Sequence, residues 1–281
     1  MSRTIRATLL ALLLALTAAP ASAAPARHYV ALGDSYASGP GIPAQTGHPA
    51  GCGRSTTNYP GILARWVRFT SVTDVTCGGA TTEDMWAAQP VQGGSNPPQL
   101  DAVTRESTLV TLTIGGNDIG FGEILATCGR LGATDPTGSP CADFYGDKLA
   151  DRIDAVEEEV AAVLAEIHRR APKAEVVLVG YLRILPARTG CWPAVPFAAG
   201  DTAFFDGTQR LLNETLARVA KAGEATFADP YPISTGHDAC AAPQRRWVEP
   251  LRPASPAAPI HPNARGMAVT AAVTLVSTLF D

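Results

Sequence analysis

Four short stretches of this chain carry the residue types that acyl transfer requires. Gly33-Asp34-Ser35-Tyr36 sets a serine directly behind the apolar run 28–32, where glycine permits a tight turn. Cys77-Gly78-Gly79-Ala80-Thr81 follows a second run, and Gly115-Gly116-Asn117-Asp118 follows a third. His261-Pro262-Asn263 stands just before a helical stretch near the C-terminus. A serine hydroxyl is a weak nucleophile until a base takes its proton. Histidine titrates where such a base works near neutral pH. The tetrahedral intermediate carries an oxyanion, for which the Ser35 and Gly79 backbone N–H groups and the Asn117 side-chain amide are candidate donors.

Each of these residues also has an ordinary use. Ser35 alone reads as a turn or helix-cap serine, and Asn117 as a turn residue. Asp34 and Asp118 read as structural acids that accept from loop backbone. His237, in Gly236-His237-Asp238, is the competing base. His28 starts a strand on the wrong edge, His48 is in a loop, and His168 ends a helix where a cation suits the dipole. Trp192, Phe197, Trp247 and Leu251 fall in late connections and are candidates to line an acyl pocket.

Elements at fixed places must position these groups. Apolar β-type runs occur at 28–32, 71–76, 109–114, 175–180 and 225–228, and near-continuous apolar runs fit strands buried on both faces. Between them, Leu149, Ile153, Val156, Val160, Leu164 and Ile167 form one apolar stripe, which predicts a helix over 148–170. Further helices are expected at 57–69, 202–222 and 264–280. Strands alternating with helices imply an α/β sandwich on a parallel sheet. The connections 36–56, 88–100, 119–146, 182–200 and 230–262 are long and rich in Gly and Pro, and read as loops. In open α/β sheets ligands bind at the carboxyl ends of the strands, where these loops lie.

Residues 1–23 read as a secretory signal peptide. Arg3 and Arg6 precede an apolar core over 9–16, and Ala21-Ser22-Ala23 is a small-x-small cleavage site. The core is too short to span a bilayer comfortably, which weighs against a membrane anchor. Residues 24–281 then form one domain. Six cysteines, Cys52, Cys77, Cys128, Cys141, Cys191 and Cys240, point in an exported protein to three disulfides. Six cysteines allow fifteen pairings, of which the sequential one is simplest. No CxxC or CxxH spacing suggests a metal site. The formal net charge is −4, with no basic stretch to bind nucleic acid. No GxSxG elbow, P-loop, GxGxxG or HExxH motif is present.

The four blocks Gly33-Asp34-Ser35, Gly79, Gly115-Gly116-Asn117-Asp118 and His261-Pro262 together resemble those of the SGNH hydrolases, the GDSL-like esterases and lipases. Any one block is weak, whereas four in order, each at a strand end or a helix start, are specific. The resemblance implies a three-layer α/β/α sandwich, with a flavodoxin-like sheet of five parallel strands in the order 2-1-3-4-5. It implies Ser35 as nucleophile, His261 as base, and an oxyanion hole of Ser35, Gly79 and Asn117, with no cofactor or metal. The chain looks closest to secreted actinobacterial esterases and phospholipases, whose disulfides resemble the sequential pairing. It departs from the family pattern at Tyr36, where Leu is usual; there, an effect on packing beside the serine is expected. It also departs at Ala258, where many members carry an Asp that orients the histidine. No acid lies between Glu249 and His261; the resemblance to secreted members that use a backbone carbonyl instead implies one here, and the Ala258 carbonyl is the expected acceptor for His261 Nδ1–H. The expected partner is an ester or lipid substrate, with transient contact to a lipid interface, taken up by a monomer. A carbohydrate acetyl esterase is the alternative enzyme. A non-catalytic binding module on a hydrolase fold is the alternative of another class.

Overall fold

Strands with both faces covered carry the centre of the molecule, and the edge strand does not. The computed structural model describes residues 26–279, so the expected signal peptide lies outside the described residues. In chain order the elements are β1 (His28–Gly33), α1 (Ser35–Ser38), α2 (Tyr59–Val67) and β2 (Ser71–Asp74). Next come β3 (Gln89–Val91), β4 (Gly94–Asn96), β5 (Leu109–Thr113), α3 (Phe121–Thr134), α4 (Pro140–Tyr145) and α5 (Lys148–Arg170). The chain continues through β6 (Glu175–Val179), α6 (Asp201–Ala222) and β7 (Thr226–Ala228) to α7 (Ala264–Ser277). Five strands form one parallel sheet in the order β2-β1-β5-β6-β7. Counted along the sheet strands alone, this is the expected 2-1-3-4-5. All five residues of the central β5 are buried, while Ser71, Val72 and Thr73 of edge strand β2 are exposed.

Side chains alternate between the two faces of the sheet. Val30, Leu32, Val110, Leu112, Val176 and Leu178 pack into one core with α5 and α6. Tyr29, Ala31, Leu109, Val177 and Val179 pack into the other with Leu63 of α2 and Met267 of α7. The whole predicted stripe of α5 is buried, and Val163 joins it. His168, Arg169 and Arg170 close that helix where positive charge suits its C-terminal dipole.

The structure corrects the reading of 119–146 as a loop, because α3 and α4 occupy most of it. Gly122, Gly129 and Gly132 lower the intrinsic helix propensity of α3. Burial of Ile124 and Cys128 against the core outweighs that loss. The stretch 88–100 likewise contains the short antiparallel hairpin of β3 and β4.

The cysteines pair sequentially, as Cys52–Cys77, Cys128–Cys141 and Cys191–Cys240. The first and last pairs staple connections at the carboxyl side of the sheet. Cys128 and Cys141 instead join α3 to α4, because the stretch expected to be loop is helical. The Cys52–Cys77 bridge pins the turn that carries Gly79, where Gly78 N–H also donates to the Cys52 carbonyl at 2.8 Å. It closes a sequence separation of 25 residues. Replacing both cysteines by alanine should therefore lower the unfolding free energy by about 3.5 kcal/mol on the chain-entropy estimate, read as a shifted urea midpoint. An unchanged midpoint would show that the bridge adds nothing to the hydrogen bonds beside it.

Candidate active site

The expected nucleophile stands where β1 gives way to the single turn α1. Gly33 makes this possible: its φ is +146°, and a Cβ there would lie 2.7 Å from the Thr113 carbonyl oxygen. Asp34 caps α1 by accepting the Tyr36 N–H at 2.8 Å, and Gly39 closes it in the left-handed conformation. Ser35, the first residue of that turn, is half-buried and lines a cavity at the carboxyl edge of the sheet. Its N–H meets no acceptor among the described residues.

Asn117 reaches the same cavity from the turn after β5. One amide hydrogen is spent on the Ala80 carbonyl at 2.8 Å, which leaves the other to donate elsewhere. Gly79, one residue earlier, is not among the residues that line the cavity. It takes a left-handed φ of 78° in the turn closed by Ala80 N–H on the Cys77 carbonyl, and its own N–H meets no acceptor among the described residues. Asp118 accepts both the N–H and the hydroxyl of Thr82, at 2.8 and 2.6 Å, as expected of a structural acid.

His261 lines the cavity from the C-terminal connection. The acceptor of its Nδ1–H is the Pro259 carbonyl, at 2.7 Å, and not that of Ala258. The reason lies in the backbone. The Ala258 carbonyl is already taken by the His261 backbone N–H at 3.2 Å. Ile260 between them has φ 61°, a left-handed value that turns the chain back on itself. A carbonyl can only accept, so Nδ1 carries the proton and Nε2 keeps its lone pair. Packing around the ring pushes its pKa below the ordinary 6.5, and the Pro259 carbonyl partly opposes this. Asp238 does not reach the ring; it accepts the Cys240 N–H at 2.9 Å. Glu249, fully buried, holds the backbone of the connection instead, accepting from Asn263 Nδ2 at 2.7 Å and Ala254 N–H at 2.8 Å.

The competing base, His237, is elsewhere. It stacks on Trp247 with ring centroids 3.9 Å apart and bonds the Arg245 carbonyl through Nδ1. His28 bonds Ser71 at the amino end of the sheet. The four residues expected to line an acyl pocket do not reach this cavity: Phe197 packs on Phe205, Trp247 on His237, and Trp192 and Leu251 are exposed. The apolar wall is made by Phe121 and Leu125, one helical turn apart on α3, with Ile184 and Ile260. Two tyrosines complete it. Tyr36 donates its hydroxyl to the Ile260 carbonyl at 2.7 Å, and its ring lies 5.3 Å from that of His261. Packing beside the serine was expected of Tyr36; the hydrogen bond to the histidine connection has no signal in the sequence. Tyr181 donates its hydroxyl to Asp34. Among the described residues, no group of three or more His, Cys, Asp or Glu side chains is placed to hold a metal ion.

The model of the GDSL-like lipase/acylhydrolase family matches residues 31–269. The chain is 42% identical over 254 residues to Lipase 2 of Streptomyces coelicolor, covering 89% of this chain and 85% of that one. Among solved structures, it is similar to phospholipase A1 from Streptomyces albidoflavus NA297, with a TM-score of 0.76 and 27% identity. It is also similar to the extracellular lipase of Streptomyces rimosus, with a TM-score of 0.73 and 29% identity. Both alignments cover 90% of this chain and 99% of the other.

A carboxylate on Nδ1 would raise the imidazole pKa, whereas a half-buried ring on a neutral carbonyl keeps it low. NMR titration of His261 should therefore give a midpoint below 6.5. A midpoint above the ordinary histidine value would reveal an acidic partner and contradict the geometry around Pro259.

Proposed function

The chain belongs to the GDSL-like lipase/acylhydrolase family, and on that footing we propose that it hydrolyses carboxylic esters of lipid or aliphatic acyl groups through a Ser35–His261 dyad. His261 Nε2 takes the proton of the Ser35 hydroxyl as its oxygen attacks the ester carbonyl. The oxyanion that forms is held by the N–H groups of Ser35 and Gly79 and by the free amide hydrogen of Asn117. Its collapse expels the alcohol, which leaves with the proton from His261. Water, activated by the same imidazole, then attacks the acyl-serine and releases the acid.

One observation carries this reading: Ser35, Asn117 and His261, from three distant parts of the chain, line one cavity. The orientation of His261 supports it, because Nδ1–H on the Pro259 carbonyl leaves Nε2 free to act as base. The unpartnered N–H groups of Ser35 and Gly79 support the oxyanion hole. The apolar wall of Phe121, Leu125, Ile184 and Ile260 favours an aliphatic acyl chain over a sugar. The lipase and phospholipase names of the relatives point the same way. Pairing of all cysteines among the described residues fits an oxidising, extracellular setting, and one relative is itself titled an extracellular lipase.

A panel of p-nitrophenyl esters of increasing chain length, run beside acetylated xylan, tests the assignment. Turnover should favour the aliphatic esters. Ser35→Ala should lower kcat by roughly four to six orders of magnitude. Asn117→Ala should cost about a hundredfold to a thousandfold, as loss of one oxyanion donor does. Preference for acetylated xylan would move the protein to the carbohydrate esterases. Undiminished turnover by Ser35→Ala would end the dyad reading.

A further inference from the structure

The nucleophile turn and the asparagine turn are joined by a side chain from a third strand. Tyr181 leaves the carboxyl end of β6 one residue beyond Gly180, fully inside the protein. Its hydroxyl donates to Asp34 Oδ2 at 2.6 Å and accepts the Gly116 N–H at 2.8 Å. Asp34 immediately precedes Ser35, and Gly116 immediately precedes Asn117. One oxygen atom thus spans the backbones that carry two of the three oxyanion donors.

The bridge is itself held rigidly. Asn213 of α6 accepts the Tyr181 N–H at 2.9 Å and donates to the Tyr181 carbonyl at 3.0 Å. The Tyr36 ring packs edge-on against the Tyr181 ring, with centroids 5.2 Å apart. On its far side Asp34 accepts the Tyr36 N–H, so the carboxylate transmits the position of the tyrosine to the first turn of α1. Burial pushes the Asp34 carboxyl up to about 7, against the hydrogen bonds from Tyr181 and Tyr36 that favour its ionised form. A buried carboxylate with so few donors is costly to deprive of one.

We propose that the Tyr181 hydroxyl, acting through Asp34 and Gly116, is a positioning group that sets the spacing between the Ser35 N–H and the Asn117 amide. It rests on the ester-hydrolase reading of the same cavity. The hydroxyl takes no proton and touches no reacting atom. Its effect is on how well the donors meet an oxyanion that exists only in the transition state, so its loss falls on kcat and leaves KM largely alone.

The test is steady-state kinetics of Tyr181→Phe, Asp34→Asn and the double variant, with intact sites counted by stoichiometric reaction with an organophosphonate. Tyr181→Phe should lose about tenfold to a hundredfold in kcat per titrated site, as small misplacements of reacting groups do, with KM within about twofold. The double variant should lose little more than the worse single one, because both break the same link. An unchanged kcat per titrated site in Tyr181→Phe overturns the inference, as do losses that multiply in the double variant. A merely structural role would lower the count of titrated sites without changing turnover per site. Should the unsubstituted protein fail to react with the phosphonate, the hydrolase reading beneath the inference falls first.

Discussion

The site depends on a hydrogen bond between residues 224 positions apart, from the Tyr36 hydroxyl to the Ile260 carbonyl. Tyr36 is next to Ser35, the proposed nucleophile, and Ile260 next to His261, the proposed base, so this bond ties together the two ends of the chain that the proposed dyad needs side by side. It also bears on strain. Ile260 is β-branched and has φ 61°, a conformation that costs of order 1–3 kcal/mol. Leaving its buried carbonyl without a donor would cost a similar amount, about 1–3 kcal/mol. The turn therefore adds no unsatisfied group to its strain, because neighbouring groups satisfy what it exposes. The Ile260 N–H finds the Glu249 carbonyl at 3.0 Å, and the Ala258 N–H finds that of Pro40 at 2.8 Å.

From that turn follows the orientation of the imidazole. A right-handed residue at 260 would carry the chain onward, whereas the left-handed one returns the Pro259 carbonyl towards Nδ1. A neutral acceptor fixes the tautomer as a carboxylate does, but stabilises the imidazolium less. The nearest acid in the sequence, Glu249, serves the connection and not the ring. Its carboxylate takes the Asn263 amide and the N–H groups of Ala254 and Ser255, and Arg246 lies 3.6 Å away. Charge that a triad would set against the histidine is set here against the connection that carries His261. A comparable arrangement holds the other long connection. Arg54 donates to the Thr76 and His48 carbonyls and to Asn96, tying the segment after α1 to the exits of β2 and β4.

What the sequence made legible was the placing of candidate residues at strand ends and at one helix start. Ser35 and Asn117 follow continuous apolar runs, and His261 precedes a helix, so type and place could be read together. The sheet order came from family resemblance and the core stripe of α5 from periodicity. Both agree with the structure. What stayed hidden depends on contacts that no local pattern encodes. Three glycines disguised α3, and with it the pair Phe121 and Leu125, which faces the cavity only because a helix sets them one turn apart. Trp192, Phe197, Trp247 and Leu251 were plausible by chain position, yet packing turned two inward and left two in solvent. The shift from Ala258 to Pro259 turns on one dihedral angle at a β-branched residue, against its intrinsic preference. The two tyrosine hydroxyls gave no signal, since a tyrosine in sequence reads first as core.

In the proposed dyad Ser35 and His261 act as one unit across the length of the chain. Peptide mass mapping after reaction with a fluorophosphonate tests it most directly, because the reagent needs an activated serine and marks which one. One adduct per molecule is expected, on the peptide containing Ser35, formed far more slowly in His261→Ala. An adduct on another residue, or labelling of Ser35 that proceeds at the same rate without the imidazole, would contradict it.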